Sequence, residues 1–200
     1  MVPFAGWEMP VRYGSIIEEH QAVRERAGVF DISHRGQLVV AGQRAGEALD
    51  RLLTNRLGAL EVGQGQYTLM LNEGGGVIDD LIVYRQGEEE YFLVVNAARR
   101  VEDVAWLRAH LGDRVDLRDL SDGMAGLAIQ GPEAPAVFAG MLGGRTLPPR
   151  NGIEIFAHEG DELIVCRTGY TGEDGFEFFC PAAAAERWFR AALAAKALGK

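Results

Sequence analysis

The feature that most constrains this chain is a pattern that runs once and then restarts. "GQLVVAGQRAGEALDRLL" (36–53) reads as strand, glycine, helix, and "MAGLAIQGPEAPAVFAGMLGG" (124–144) repeats that order. Hydrophobic runs follow each: "QYTLMLN" (66–72), "GVIDDLIVYR" (76–85) and "EYFLVVNA" (90–97) after the first, "GIEIFAHEG" and "DELIVCRTGYTGEDGFEFFC" after the second. Gly, Asn and Glu-rich connections between short runs predict hairpins. A helix then closes each half, with Trp106 in "VEDVAWLRAHL" and Trp188 in "AAERWFRAAL" at matching places. Two related strand–helix–strands–helix units follow, 36–123 and 124–200, behind an N-terminal segment, 1–35. Antiparallel hairpins with segregated helices predict an α+β fold: antiparallel sheets with flanking helices.

Local signals fill in the helices. Ser15 with Glu18 three residues on predicts a capped helix over 15–28, with Gly28 as its stop. Helical spacing in 98–112 places Val101, Val104, Ala105 and Leu111 on one side. Pro132 falls where a first helical turn tolerates proline, and Gly143 where that helix ends.

Composition excludes several classes. The 200 residues are 48% hydrophobic and 24% charged, enough for a sizeable core. Net charge is −9, with Lys and Arg scattered, so the footprint of a nucleic-acid binder is missing. There is no apolar run of about 18 residues to span a membrane, and "MVPFAGWEMP" is not a secretory signal. Cys166 and Cys180 fit no zinc motif or disulfide framework, and read as buried thiols in a reducing, cytoplasmic setting. The four histidines share no metal-ligand spacing, so no metal is expected; His34, three residues after Asp31, is the one with a functional look.

Three places carry candidate chemistry. Asp79 and Asp80 stand side by side at the start of an apolar strand, so alternation turns one of them inward. An inward carboxylate is costly unless paired or hydrogen-bonded, which marks the site. "RTGYTGEDGFE" (167–177) reads either as a long hairpin tip or as a ligand loop. In the second reading glycines admit close backbone approach, Tyr170 stacks, and Glu177 accepts hydrogen bonds from the face opposite Phe176 and Phe178. Asn96 ends a strand just before a helix, as a cap, as a partner for a heterocycle edge, or as both.

Taken in order, "MVPFAGWEMPVRYGSIIEEHQAVRERAGVFDISH", "LLTNRL", "GGGVIDDLIVY", "LVVNA", "AIQGPEA" and "RTGYTGEDGFE" resemble the T-protein (aminomethyltransferase) family of the glycine cleavage system across essentially the whole chain. The resemblance implies transfer of an aminomethyl carbon from the dihydrolipoyl arm of the lipoylated H-protein to tetrahydrofolate, with release of ammonia. It implies Asp80 as the catalytic carboxylate and Tyr67, Tyr84, Val94, Asn96, Tyr170 and Glu177 as folate contacts; Asp79 would be structural. A carboxylate there would stabilise positive charge developing on the transferred carbon and relay a proton.

Departures accompany the likeness. Arg35 stands where relatives carry Met, and Pro3 where they carry Asp. The family's pattern also leads one to expect a folate-binding portion truncated at both ends, without the C-terminal barrel-like domain. Two further readings share the fold: a demethylating transferase domain of the sarcosine or dimethylglycine type, which Arg35 keeps open, and a non-enzymatic folate-binding paralogue, which the Asp pair opposes.

Overall fold

A computed structural model describes residues 1–195. The strands and helices fall into two compact units. Arg35–Asp122 with Asn151–Ile153 form one, called here the acidic unit; Met1–His34, Gly123–Arg150 and the chain from Glu154 form the other, the loop unit. The three-way division expected from the sequence thus becomes two. The reason is a single strand: β3 (Gly28–Asp31) pairs antiparallel with β9 (Met124–Gln130), taking the N-terminal segment into the loop unit.

The acidic unit is a five-stranded sheet. Its strands are β4 (Gly36–Ala41), β5 (Gly65–Leu71), β6 (Val77–Gly87), β7 (Glu90–Val95) and β8 (Asp116–Asp119), in the order β5-β6-β7-β4-β8. All described pairings are antiparallel. Helices α2 (Ala45–Asp50) and α3 (Arg100–His110) cover one face, where Leu38, Val40, Leu81, Val83, Leu93 and Val95 meet Leu49, Val104 and Leu107. Each fully buried side chain of this kind stabilises the fold by roughly 1.5–3 kcal/mol. The stripe of α3 differs from the expected one. Val101 and Ala105 are exposed, and the inward positions are Asp103, Val104, Leu107 and Leu111. An inward acid breaks the hydrophobic periodicity on which the expectation depended.

The loop unit repeats the plan. β9, β10 (Ile153–His158), β11 (Asp161–Cys166) and β12 (Gly175–Pro181) join β3 in the order β10-β11-β12-β9-β3. Helices α4 (Ala134–Met141) and α5 (Ala185–Ala195) cover the face that carries Leu127, Ile129, Phe176 and Phe178. The four strands of each repeat hold corresponding places in the two sheets, and the fifth place, held by β8 in one, is held in the other by β3 from outside the repeat. Ahead of them lie the hairpin β1 (Val2–Phe4) and β2 (Trp7–Met9), and α1 (Ile16–Glu25).

Two local expectations are corrected here. Ser15 caps α1, accepting from Glu18 N, but the helix ends at Arg26, and Gly28 opens β3 instead of stopping the helix. Gly28 is small for a packing reason: a Cβ there would stand 2.6 Å from Val23 Cγ2. In α4 the proline of the first turn is Pro135, behind the N-cap Glu133, so Pro132 precedes the helix. Gly143 follows that helix with φ +61°, a left-handed residue that ends it.

Candidate functional site

Strand register decides which side chains share a face. In the acidic unit Tyr67 lies opposite Ile82, Ile82 opposite Val94, Tyr84 opposite Phe92, and Leu69 opposite Asp80. Tyr67, Asp80, Tyr84 and Val94 therefore stand on the sheet face away from α2 and α3. Tyr84 and Val94 are fully buried there, Asp80 is partly buried, and Tyr67 is 50% exposed. Tyr84 packs against Phe92 with ring centroids 6.3 Å apart. It also lies flat over Gly65, where a Cβ would come within 2.2 Å of Tyr84 Cδ1. Glycine at that strand start is what admits the ring.

The neighbouring aspartates part company as alternation demands. Asp79 is the buried one, on the helix-covered side, and Asp80 faces the other way. Asn96, just past β7, joins them. Its backbone N–H donates to Asp79 Oδ2 at 3.0 Å and its amide to Asp79 Oδ1 at 2.9 Å. The same amide nitrogen reaches Asp80 Oδ1 and Asp80 O, both at 3.0 Å. Asn96 thus binds carboxylates and does not cap α3, whose N-cap is Arg99. Asp103, which sequence reasoning missed, lies behind this group on α3. It is fully buried, and burial, then the neighbouring Asp79, push its carboxyl up to about 8. The only signal for it in the sequence was an acid interrupting an apolar stripe.

Tyr170 and Glu177 belong to the loop unit. Glu177 sits on β12 between Phe176 and Phe178, facing away from them; it is 2% exposed and accepts from Thr168 Oγ1 at 2.8 Å. The loop before it is organised by Gln130, itself buried. Gln130 Nε2 donates to Thr168 O at 3.0 Å, and Thr171 Oγ1 donates to Gln130 Oε1 at 3.1 Å. Gly169 and Gly175 make room for that side chain, since a Cβ at either would fall within 2.6 Å of it. A two-pronged Arg167–Asp174 pair, at 3.1 and 2.7 Å, pins the loop's ends. The Arg167 guanidinium holds the Asp174 carboxyl below the usual carboxylate range. Tyr170 stays 64% exposed and lines a groove of about 520 Å³ with Thr171, Phe30, Val11 and His20.

The remaining candidates are quieter. The His34 ring meets Phe4 edge-on at 5.6 Å, and Asp31 spends its carboxylate on Ser33 N. Arg35 is buried, and its carbonyl accepts from Gln37 Nε2. Cys166 and Cys180 are buried and unbridged, and burial pushes the Cys180 thiol up to about 11. Among the described residues no helix is long and apolar enough to cross a membrane.

Comparison with known proteins gives one family. The model of the GCVT N-terminal domain matches residues 1–199. An aminomethyltransferase of Geobacillus kaustophilus is 47% identical over 201 residues, covering 98% of this chain and 54% of that protein. One from Alcanivorax borkumensis is 47% identical over 183 residues, covering 90% and 50%. The chain therefore spans about half the length of the curated relatives it matches. Among solved structures, the glycine cleavage system aminomethyltransferase T of Bartonella henselae superposes with a TM-score of 0.88 at 36% identity, over 96% of this chain and 52% of that one. A heterotetrameric sarcosine oxidase from Corynebacterium sp. U-96 shares the fold, with a TM-score of 0.64 at 18% identity over 90% of each chain.

Proposed function

The chain belongs to the GCVT N-terminal domain family, and from that premise we propose that it forms the folate-binding portion of an aminomethyltransferase of the glycine cleavage system. The observation that carries the reading is Asp80 held by the Asn96 amide at 3.0 Å, on the sheet face that also carries Tyr67, Tyr84 and Val94. The named relatives support it. The sarcosine oxidase likeness concerns the fold alone and adds nothing about substrate.

The side chains present suit a flat, nitrogen-rich ligand such as tetrahydrofolate, acting as co-substrate. In the acidic unit the half-exposed Tyr67 offers aromatic surface, Asp80 an acceptor for ring N–H groups and Asn96 an amide edge; in the loop unit Tyr170 offers aromatic surface and Glu177 a further acceptor. In the reaction the two nitrogens of tetrahydrofolate replace the amine and the thiol on the aminomethyl carbon. Their two protons leave with ammonia and the freed dihydrolipoyl thiol, and positive charge develops on that carbon as the C–N bond breaks. Asp80 stabilises that charge and takes up the proton given up by the attacking nitrogen. Asn96 aims the Asp80 carboxylate, and the buried Tyr84 and Val94 form an apolar floor that excludes water. The aminomethyl donor is the lipoylated H-protein, and the setting is cytoplasmic.

The test uses the full-length protein that contains these residues. Calorimetry should show tetrahydrofolate binding that Glu177→Ala weakens. Asp80→Asn should lower turnover with aminomethylated H-protein by about 10²–10⁴-fold while leaving the circular dichroism spectrum unchanged. Turnover surviving Asp80→Asn, or tetrahydrofolate binding indifferent to Glu177→Ala, would overturn the reading.

A further inference from the structure

Asp103 lies on the inner side of α3 with no exposed surface, and neither of its carboxyl oxygens receives an N–H or O–H from another described residue. Helix α3 packs on β6, and the carboxyl that neighbours Asp103 across that contact is the buried one of Asp79, on the helix-covered face of the strand. Two buried carboxyls in contact do not both carry charge; they hold a proton between them. The other bonds say where that proton sits. Asp79 already accepts on both oxygens, from Asn96 N at 3.0 Å and from the Asn96 amide at 2.9 Å, whereas Asp103 accepts from nothing. An acceptor with both oxygens engaged fits a donor opposite it, so Asp103 is the acid.

The consequence reaches Asp80 through one amide group. The Asn96 side chain has two hydrogens and is offered three acceptors: Asp79 Oδ1, Asp80 O and Asp80 Oδ1. How firmly Asp79 draws that amide therefore sets how it is shared with Asp80. We propose that Asp103 is a positioning residue for Asp80: its protonated carboxyl donates to Asp79, and Asp79 in turn fixes the Asn96 amide against the Asp80 carboxylate. The meaning of this chain of bonds for a reaction rests on the function proposed above; the chain of bonds itself does not.

Burial first, then the bond to Asp79, raise Asp103 to about 8. Arg99 opposes the rise and Glu102 adds to it; with Asp79 these are the charged groups that act on Asp103. Above that value Asp103 loses its proton, Asp79 loses a donor and gains a like charge, and the Asn96 amide is redistributed.

The deciding measurement is nuclear magnetic resonance on this chain, following the Asn96 side-chain amide and the Asp103 and Asp80 carboxyl carbons from neutral to alkaline pH. The Asn96 signals should move with the same midpoint as the Asp103 carboxyl, near 8. In Asp103→Asn, whose amide still donates to Asp79 but does not titrate, they should hold their neutral-pH positions throughout. Asn96 signals that ignore the Asp103 titration, or that still titrate in Asp103→Asn, would overturn the proposal. In the full-length protein Asp103→Leu should lower kcat roughly tenfold or more with little change in KM, and Asp103→Asn should restore it. Equal losses in both variants would reduce Asp103 to a packing residue. Because Asp103→Leu risks misfolding, the resonance experiment uses only the unaltered chain and Asp103→Asn. If the unaltered full-length protein fails to turn over aminomethylated H-protein, the functional reading falls and the resonance result stands by itself.

Discussion

The last helices of the two units carry a tryptophan at matching places in the sequence, yet they meet their sheets through different chemistry. In α5, Trp188 is buried, and Ala185, three residues earlier, packs into an apolar core. In α3, the residue three before Trp106 is Asp103, buried against Asp79. One unit is dry at this position and the other holds two acids there. Buried acids are weak stabilisers and strong positioners. The difference teaches that a duplicated architecture preserves the helix seat while releasing its inner positions for other work.

The tryptophans give the largest test of that comparison. Trp188 is 2% exposed and its indole N–H donates to Asp161 at 2.7 Å. Trp188→Ala should cost about 3–5 kcal/mol by urea denaturation. Trp106 is half-buried, stacked on His110 at 3.8 Å, with an indole nitrogen that finds no partner among the described residues. Trp106→Ala should cost clearly less; equal losses would mean that the two seats are energetically alike after all.

Next comes a pH effect confined to the acidic unit. Asp103 binds its proton more tightly folded than unfolded, because its carboxyl is raised from 3.8 to about 8. Stability from this group is fully present below about 4 and is lost as pH climbs to about 8. Asp103→Ala, which gives the acidic unit the loop unit's residue, should flatten that decline in the urea midpoint. A slope unchanged by the substitution would place the cause elsewhere.

The glycines at strand starts should behave alike in both units. A Cβ at Gly65 would meet the Tyr84 ring at 2.2 Å, and one at Gly175 would meet Ile129 O at 2.5 Å. Gly65→Ala and Gly175→Ala should each cost about 1–3 kcal/mol, measured by thermal unfolding. Smallest is the Arg24–Glu173 pair of the loop unit, 2.8 Å long and half-exposed. Arg24→Ala should cost less than about 1 kcal/mol, and less still in high salt.

The strands were readable in the sequence because apolar runs and turn residues act locally. Two things were not. Alternation said that one of the paired aspartates turns inward but not which, because parity depends on register, and the β5–β6 pairing slips between Met70 and Leu71. The α3 stripe was misplaced because hydrophobic periodicity cannot see an inward acid such as Asp103. The Asp80–Asn96 contact joins residues sixteen apart, and only the family resemblance brought them together beforehand. Gln130 was quoted within a motif, yet nothing local tells that its amide would organise a loop some 40 residues away.

The pairing of β3 with β9 has a consequence in time. The acidic unit is almost one unbroken stretch, Arg35–Asp122, so all five of its strands have been made before β9 begins at Met124. The first 34 residues can find their sheet only afterwards, across a gap that makes β3–β9 among the most non-local contacts in the molecule. A chain leaving the ribosome should therefore complete its second-born segment first and hold its earliest residues in waiting. Pulse-labelled hydrogen exchange during refolding should protect β6 and β7 before β3; simultaneous protection would show that the two units fold as one.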